Sequence, residues 1–316
     1  MPVQVRPFAR GDRDQVTALV NAHVAAVVPN VSVSVQSLMS QLEREPGEFI
    51  VDPWVVARAT IVAVQRGRVV AAAHLLRYDD TEEVGATYRG AGEIRWLLWW
   101  PPTSFWPDSA EAATELVQAC LARLAAWRVT RAYADGTLPA PGVYGVPEQW
   151  PHVREVLRRA GFGGGRAERV HLARVDHLPP ATRPPIEGLR AVRSVGECGT
   201  RIAALAAADD HVLGYVEVDT TLHAGIRFFG STGLADVGNL HVQESCRRRG
   251  IGTWLMAEAR SWLDLGGLTG LLAYTSPDDD PGEEAFLAAT GFRLLTSTAR
   301  GLVRQLDPGA SSGRRE

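Results

Sequence analysis

The residues best equipped for chemistry lie in one run, Asn239-Leu240-His241-Val242 followed by Gln243-Glu244-Ser245-Cys246-Arg247-Arg248-Arg249-Gly250-Ile251-Gly252-Thr253. Ala235 to Val242 alternates as a strand does. From Ile251 to Leu263, Leu255, Ala259 and Trp262 fall three and four apart, the spacing of a helix with one apolar face. A turn that feeds a helix N-terminus presents unpaired N–H groups and a partial positive charge, which together attract anions. Gly250 and Gly252 remove side chains where phosphate oxygens must approach the backbone. Arg247, Arg248 and Arg249 add charge and hydrogen-bond donors suited to phosphate. The chemistry implied is capture of a pyrophosphate. Against it stands a plainer reading, a solvated arginine run before a helix with two glycines, because short glycine motifs are weak alone. The chain has no lysine, so it lacks the Gly-Lys-Ser/Thr triplet of a nucleotide-binding P-loop.

The elements that must hold this run occur twice. Ile61 to Tyr78 reads as two apolar strands around Gln65-Arg66-Gly67-Arg68, and Ile202 to Asp219 as two around Asp209-Asp210. Setting Val69 opposite Val212 places Glu93 opposite Asp236 and Trp99 opposite Val242 without a gap. A helix follows each strand, from about Ala110 to Trp127 and from Ile251 to Leu263. Each half closes with a helix into Gly161-Phe162 or Gly291-Phe292, then an apolar strand. The repeat is β-β-β-α-β-α-β, an α/β class with a mixed sheet in each of two tandem domains. The first half adds a front section: Asp12 and Gln15 have capping-box spacing, and Val16, Leu19, Val20, Val24 and Val27 are spaced as on a helix. A second short helix runs through Leu38, Met39 and Leu42. Four prolines between Asp176 and Pro185 favour an extended linker. The expected division is 1–175, a linker at 176–187, 188–306 and a flexible tail at 307–316, and a fragment starting near Pro185 is expected to keep the cradle's binding if it folds. The run Trp96-Leu97-Leu98-Trp99-Trp100 fits a central strand buried on both faces. Phe105 and Trp106 follow it, and an aromatic-lined pocket is the competing reading. Asp278-Asp279-Asp280 reads as a solvated turn.

Composition removes other classes. A net charge of −3 on 316 residues offers no basic footprint for nucleic acid. No apolar run approaches the length of a membrane span, and the first residues lack a signal-peptide pattern. Cys120, Cys198 and Cys246 are too far apart for a disulfide framework or a metal cluster, so no metal is expected, and they suit a reducing cytoplasm.

The cradle resembles motif A of the GNAT superfamily of N-acetyltransferases, (Arg/Gln)-x-x-Gly-x-(Gly/Ala), here Arg247-Arg248-Arg249-Gly250-Ile251-Gly252. The family's late signature, an aromatic-containing helix into Gly-Phe, stands as Ala285-Phe286-Leu287-Ala288-Ala289-Thr290-Gly291-Phe292. The resemblance covers residues 186–306 and extends more loosely over 3–175. It implies two GNAT-like domains that differ in function. In the first, Ser104, Pro107 and Ser109 replace the arginine and glycines, and Asp108 with Glu111 makes a capping box whose carboxylates repel an anion. This half is a degenerate copy. In the second, the resemblance implies acetyl-coenzyme A as cosubstrate, with backbone groups of Leu240, His241 and Val242 along the pantetheine and the pyrophosphate on Arg248 to Thr253. Direct attack of a primary amine on the thioester follows, the acceptor being a small molecule or a protein N-terminus. Family members often carry a glutamate eleven residues before the motif; Asp236 takes that place and is the first candidate base, ahead of His241 and Glu217. Leu287 replaces the tyrosine that many members use as general acid, which leaves Tyr274 and Ser276 as donors. It also keeps open a non-catalytic acyl-CoA sensor or scaffold.

Overall fold

The computed structural model describes residues 2–29, 31–43, 54–101, 108–137, 142–220, 233–278 and 281–306. In chain order the regular elements begin with β1 (Gln4–Pro7), α1 (Arg13–Val27), α2 (Val35–Leu42), β2 (Val55–Gln65), β3 (Arg68–Tyr78) and β4 (Gly92–Trp99). Next come α3 (Ser109–Ala126), β5 (Arg131–Ala134), β6 (Val146–Pro147), α4 (Pro151–Arg159) and β7 (Arg166–Arg174). The remainder comprises β8 (Leu189–Gly196), β9 (Gly199–Ala206), β10 (Val212–Asp219), β11 (Leu234–Val242), α5 (Ile251–Leu265), β12 (Gly270–Thr275), α6 (Pro281–Ala289), β13 (Arg293–Arg300) and β14 (Leu302–Gln305). These elements form two compact units, one of residues 1–167 with 298–316, the other of residues 168–297.

In the first unit the sheet order is β1-β2-β3-β4-β5-β14. Helix α1 forms because Val16, Leu19, Val20, Val24 and Val27 share one face, and all five are buried. Its capping box does not form. The Asp12 carboxylate instead takes two hydrogen bonds from Arg6, at 2.7 and 2.8 Å, and one from the Ala9 N–H at 2.9 Å. Gln15 accepts from the Val69 N–H at 3.0 Å, pinning the helix to β3. The β2–β3 turn is two residues, Arg66 and Gly67, both left-handed, the conformation that matches strand twist in a tight hairpin. Trp96, Leu97, Leu98 and Trp99 of β4 are all buried, as a central strand requires.

The second unit contains strands in the order β13-β7-β12-β11-β10-β9-β8. Against one face lies α5, whose Ile251, Trp254, Leu255, Met256, Ala259 and Leu263 pack with Ile202, Ala204, Val216, Val218, Ala235, Leu271 and Ala273. Each large apolar side chain buried there contributes about 1.5–3 kcal/mol. The stretch before β9, too short for two helices, is the strand β8.

The units do not divide at the proline-rich segment. β7 follows the last helix of the first half but pairs antiparallel with β12, from Arg174 opposite Gly270 to Arg169 opposite Thr275. β14, near the end of the chain, pairs antiparallel with β5 of the first unit, Leu302 opposite Ala134. An apolar strand pattern specifies a buried face but not a partner, so each half's last strand can complete the other unit's sheet. The expected linker is also not free. Val175 and Leu178 are buried in the second unit's core, Arg260 donates to the Leu178 carbonyl at 2.7 Å, and Ile186 packs on the same core. The expected tail, 307–316, lies outside the described residues, as do Asp279 and Asp280.

The repeat holds at the level of hydrogen-bond register. Trp99 pairs with Ala71 and Val242 with Gly214; Glu93 pairs with Leu76 and Asp236 with Asp219. Both pairs fit the gapless alignment of Val69 with Val212. The same alignment places a β-bulge at one position in each half. Pairing skips Arg95 between His74 and Leu75 in the first unit, and Gly238 between Glu217 and Val218 in the second.

Candidate functional site

In the second unit β11 and β12 run parallel and pair at Leu234–Gly270, Ala235–Leu271 and Asp236–Leu272, then stop. β11 continues to Val242 and β12 to Thr275, each still bonded on its outer side, to β10 and β7. A wedge therefore opens between them, with the β11 backbone from Val237 to Val242 along one edge. Backbone groups on such an edge need partners, which makes it a slot for an extended, amide-bearing chain. The Val242 carbonyl is bonded to Arg247 Nε at 3.2 Å. Leu240 and Val242 turn their side chains toward the core, and His241 is exposed beside Tyr215.

The strand leads into a loop. A 3-10 turn at Glu244–Cys246 buries Cys246, and Arg248 and Gly250 are left-handed at φ 56° and 82°. Helix α5 then starts, its first internal bond from Trp254 N–H to the Gly250 carbonyl at 3.0 Å. The N–H groups of Ile251, Gly252 and Thr253 precede that bond, and no acidic residue lies in the first turn. Arg247, Arg248 and Arg249 are exposed around it. Gly252 packs closely, since a Cβ there would lie 3.1 Å from the Phe286 ring of α6 and the ring would have to give way slightly. A Cβ on Gly250 would lie 3.2 Å from Pro185, in addition to the left-handed strain. The arrangement sets free N–H groups and exposed positive charge, the features that suit an anion, directly beside the open edge of β11.

Asp236 sits where the wedge begins. It is opposite Asp219, and the Tyr274 hydroxyl donates to its Oδ2 at 3.4 Å. Burial, reinforced by the Asp219 carboxylate, pushes its pKa up to about 6, while the Tyr274 bond opposes the rise. A carboxylate in this range is ionised at neutral pH yet basic enough to accept a proton.

Glu217 does not share that role. It is completely buried, and its oxygens accept from Arg201 Nε at 2.6 Å, Asn239 Nδ2 at 2.7 Å, Cys198 N–H at 3.2 Å and Glu197 N–H at 3.3 Å. Although burial works against ionisation, these donors together hold its pKa below the usual value. With its lone pairs taken, it has none left for a substrate proton. Leu287 is buried in the core, so α6 offers no hydroxyl at that position. The spacing-based reading missed Asp219, Arg201 and Asn239. The strand alternation of β9 and β10, once a bulge in β11 is allowed, would have put them on the Asp236 face.

The first unit presents a contrasting site. Pairing of β4 with β5 likewise stops at Ile94–Ala134, where β5 ends. Glu93, at the Asp236 position, is sealed: it is buried, the Tyr78 hydroxyl donates to it, and Arg95 lies 3.6 Å away. Further along β4 stands Trp99, edge-on to the His152 ring at 5.0 Å. At the start of α3 the Asp108 side chain forms no cap and accepts instead from Gln65 at 3.2 Å, so the expected capping box is absent. Its carboxylate and that of Glu111 nevertheless stand at this helix start, and Ser109 is fully buried. Ser104 and Pro107 lie outside the described residues, as do Phe105 and Trp106. Among the described residues no group of three His, Cys, Asp or Glu side chains is placed to hold a metal ion, and no helix is long and apolar enough to cross a membrane.

Residues 174–292, from the end of β7 to the Gly-Phe pair, match the model of the acetyltransferase (GNAT) family. This segment is a GNAT domain. No curated protein matches the chain in sequence. Among solved structures, the fold is similar to a tandem GNAT protein from the clavulanic acid biosynthesis pathway, at a TM-score of 0.62 and 16% identity, over 98% of this chain and 100% of that one. It is similar also to a GCN5-related N-acetyltransferase from Sphaerobacter thermophilus, at 0.57 and 13%, over 97% and 96%. A third likeness is to a glucosamine N-acetyltransferase region of a fungal multi-domain β-N-acetylglucosaminidase, at 0.59 and 15%, over 95% of this chain and 38% of that one. At these identities the likeness is one of fold, tandem GNAT architecture included. The GNAT domain holds the wedge, the cradle and Asp236; the first unit holds their altered counterparts.

Proposed function

We propose that the GNAT domain transfers an acetyl group from acetyl-coenzyme A to a primary amine. The observation that carries this reading is the continuity of the β11–β12 wedge with the Arg247–Thr253 cradle. Pantetheine amides pair along β11 while the pyrophosphate meets the first N–H groups of α5 and the neighbouring arginines. The thioester then lies near the apex of the wedge, where Asp236 stands. The acceptor's lone pair attacks the thioester carbon, the ammonium proton passes to Asp236 directly or through water, and the C–S bond breaks as the tetrahedral adduct collapses. Coenzyme A leaves as a thiolate, and thiolates are weak enough bases for it to depart without prior protonation. That property accommodates Leu287 in place of a general acid. The acceptor is a small-molecule amine or a protein N-terminus.

The buried Leu287 is also the observation that favours the second reading, an acyl-CoA sensor or scaffold without turnover. Incubation of the full chain with acetyl-coenzyme A and a panel of amines, read by mass spectrometry, separates the two. Acetylated product supports transfer, whereas tight coenzyme A binding without product from any amine leaves the sensor.

With an acceptor in hand, Asp236→Asn should lower kcat by roughly one hundredfold, the usual contribution of a positioned base, with coenzyme A affinity unchanged. The pH profile supplies the sign. Asp236 accepts a proton only when ionised, so turnover should rise through a limb centred near its pKa of about 6. That limb should vanish in the asparagine variant. An unchanged profile would assign the proton to water or to His241.

A further inference from the structure

Two clusters of different chemistry occupy the same position beside the two β-bulges. In the first unit, Thr60, His74 and Trp96 stand side by side on β2, β3 and β4, with Thr60 Oγ1 2.9 Å from His74 Nδ1 and the His74 and Trp96 rings stacked at 5.9 Å. In the second, Arg201, Glu217 and Asn239 stand side by side on β9, β10 and β11. No residue type is shared between the two sets, yet each joins three strands at the residue where the register shifts. What both retain is the bulge.

We propose that Glu217 is a positioning residue, whose buried carboxylate clamps the Gly238 bulge of β11 and thereby fixes Asp236 at the mouth of the wedge. A bulge inserts one residue and reverses the alternation of the strand beyond it. Ala235 and Val237 face the core before Gly238, and Leu240 and Val242 face it after, while Asp236 and Asn239 share the opposite face. Without the extra residue, one of these two sets would point the wrong way. Glu217 holds the arrangement from three directions: Asn239 from the bulged strand, Arg201 from β9, and the N–H groups of Glu197 and Cys198 from the β8–β9 turn. That turn lies directly against the bulge. A Cβ on Gly238 would stand 2.2 Å from Cys198 Cβ, so the position admits only glycine. The clamp is ionic, and its anion is kept charged by donors rather than by solvent.

The assignment rests on Asp236 serving acetyl transfer, but its test does not require an acceptor. The readout is the titration midpoint of the Asp236 carboxyl in the full chain, followed by carbon-detected NMR. Asn239→Leu keeps the net charge and breaks the link between bulge and clamp. It should separate Asp236 from Asp219 and lower the midpoint by one unit or more. A folded Asn239→Leu variant with an unmoved midpoint would overturn the clamp. Should that variant fail to fold, Arg201→Gln serves in its place. Losing a positive charge alone would raise the Asp236 midpoint, so a fall reports displacement, and a rise or no change overturns the proposal. Failure of the unsubstituted chain to bind coenzyme A would instead strike the transferase reading, and the titration would still report on the clamp.

Discussion

Gly250→Asp should abolish coenzyme A binding, with an affinity loss beyond about one hundredfold. Two separate effects combine. Gly250 is left-handed at φ 82°, and an L side chain there costs on the order of 1–2 kcal/mol and crowds Pro185 at 3.2 Å. The new carboxylate would also stand at the N-terminus of α5, in the place proposed for the pyrophosphate, and would compete with it for the free N–H groups and three arginines. Gly250→Ala separates geometry from charge and should lose only about tenfold, the share owed to strain. The counterpart substitution belongs on the exposed Glu111, since Ser109 is fully buried and a charge there would disrupt the first unit's core. Glu111→Arg should leave coenzyme A binding untouched. Calorimetry should give one site per chain; two sites would refute the degenerate reading of the first unit.

A fragment beginning at Pro185, which looks like a complete domain in sequence, should fail to fold. It lacks β7, which lies between β12 and β13 inside the second unit's sheet, and it loses the buried Val170, Ala173, Val175 and Leu178. At about 1.5–3 kcal/mol for each fully buried large apolar side chain, even part of this loss is comparable to the 5–15 kcal/mol stability of an ordinary domain. A fragment of residues 168–297 should by contrast show a cooperative melting transition and retain coenzyme A binding. The reciprocal truncation, ending at Ser297, should spare the second unit and destabilise the first, whose β5 edge would lose β14. Two transitions in calorimetry, only one of them lowered, would be the expected record. A cooperative, ligand-binding fragment starting at Pro185 would contradict the strand assignment.

These outcomes mark what could be read from the residues. The spacing of Val16, Leu19, Val20, Val24 and Val27 fixes a helix because periodicity directly encodes a buried face. The alignment of Val69 with Val212 matched equivalent positions of the two halves, Glu93 and Asp236 among them, since a continuous apolar pattern keeps the two strands in step. The turn at Gly250 was legible as local backbone chemistry, whereas the packing of Gly252 against Phe286 is a tertiary contact that no local pattern records. The bulge was not, because Arg95 and Gly238 share no property that marks an extra residue. Nor was the place of Glu217, whose four donors come from three separate segments. The capping signatures at Asp12 and Asp108 failed for a common reason: each carboxylate found a distant donor, Arg6 or Gln65, that competes with the local backbone. The exchange of β7 and β14 was hidden because strands record which face is buried, not which edge they join.

That exchange has a consequence for how the protein is made. β5 emerges from the ribosome early, whereas its partner β14 follows roughly 170 residues later, a delay on the order of ten to thirty seconds at about 5–20 residues per second. Throughout that interval the nascent first unit carries an open sheet edge, the kind of surface on which newly made chains associate wrongly. The second unit has no such wait, since β7 is synthesised before the strands it joins. The half made first is therefore the last to be finished, its closing strand arriving only after every strand of the second unit has been made.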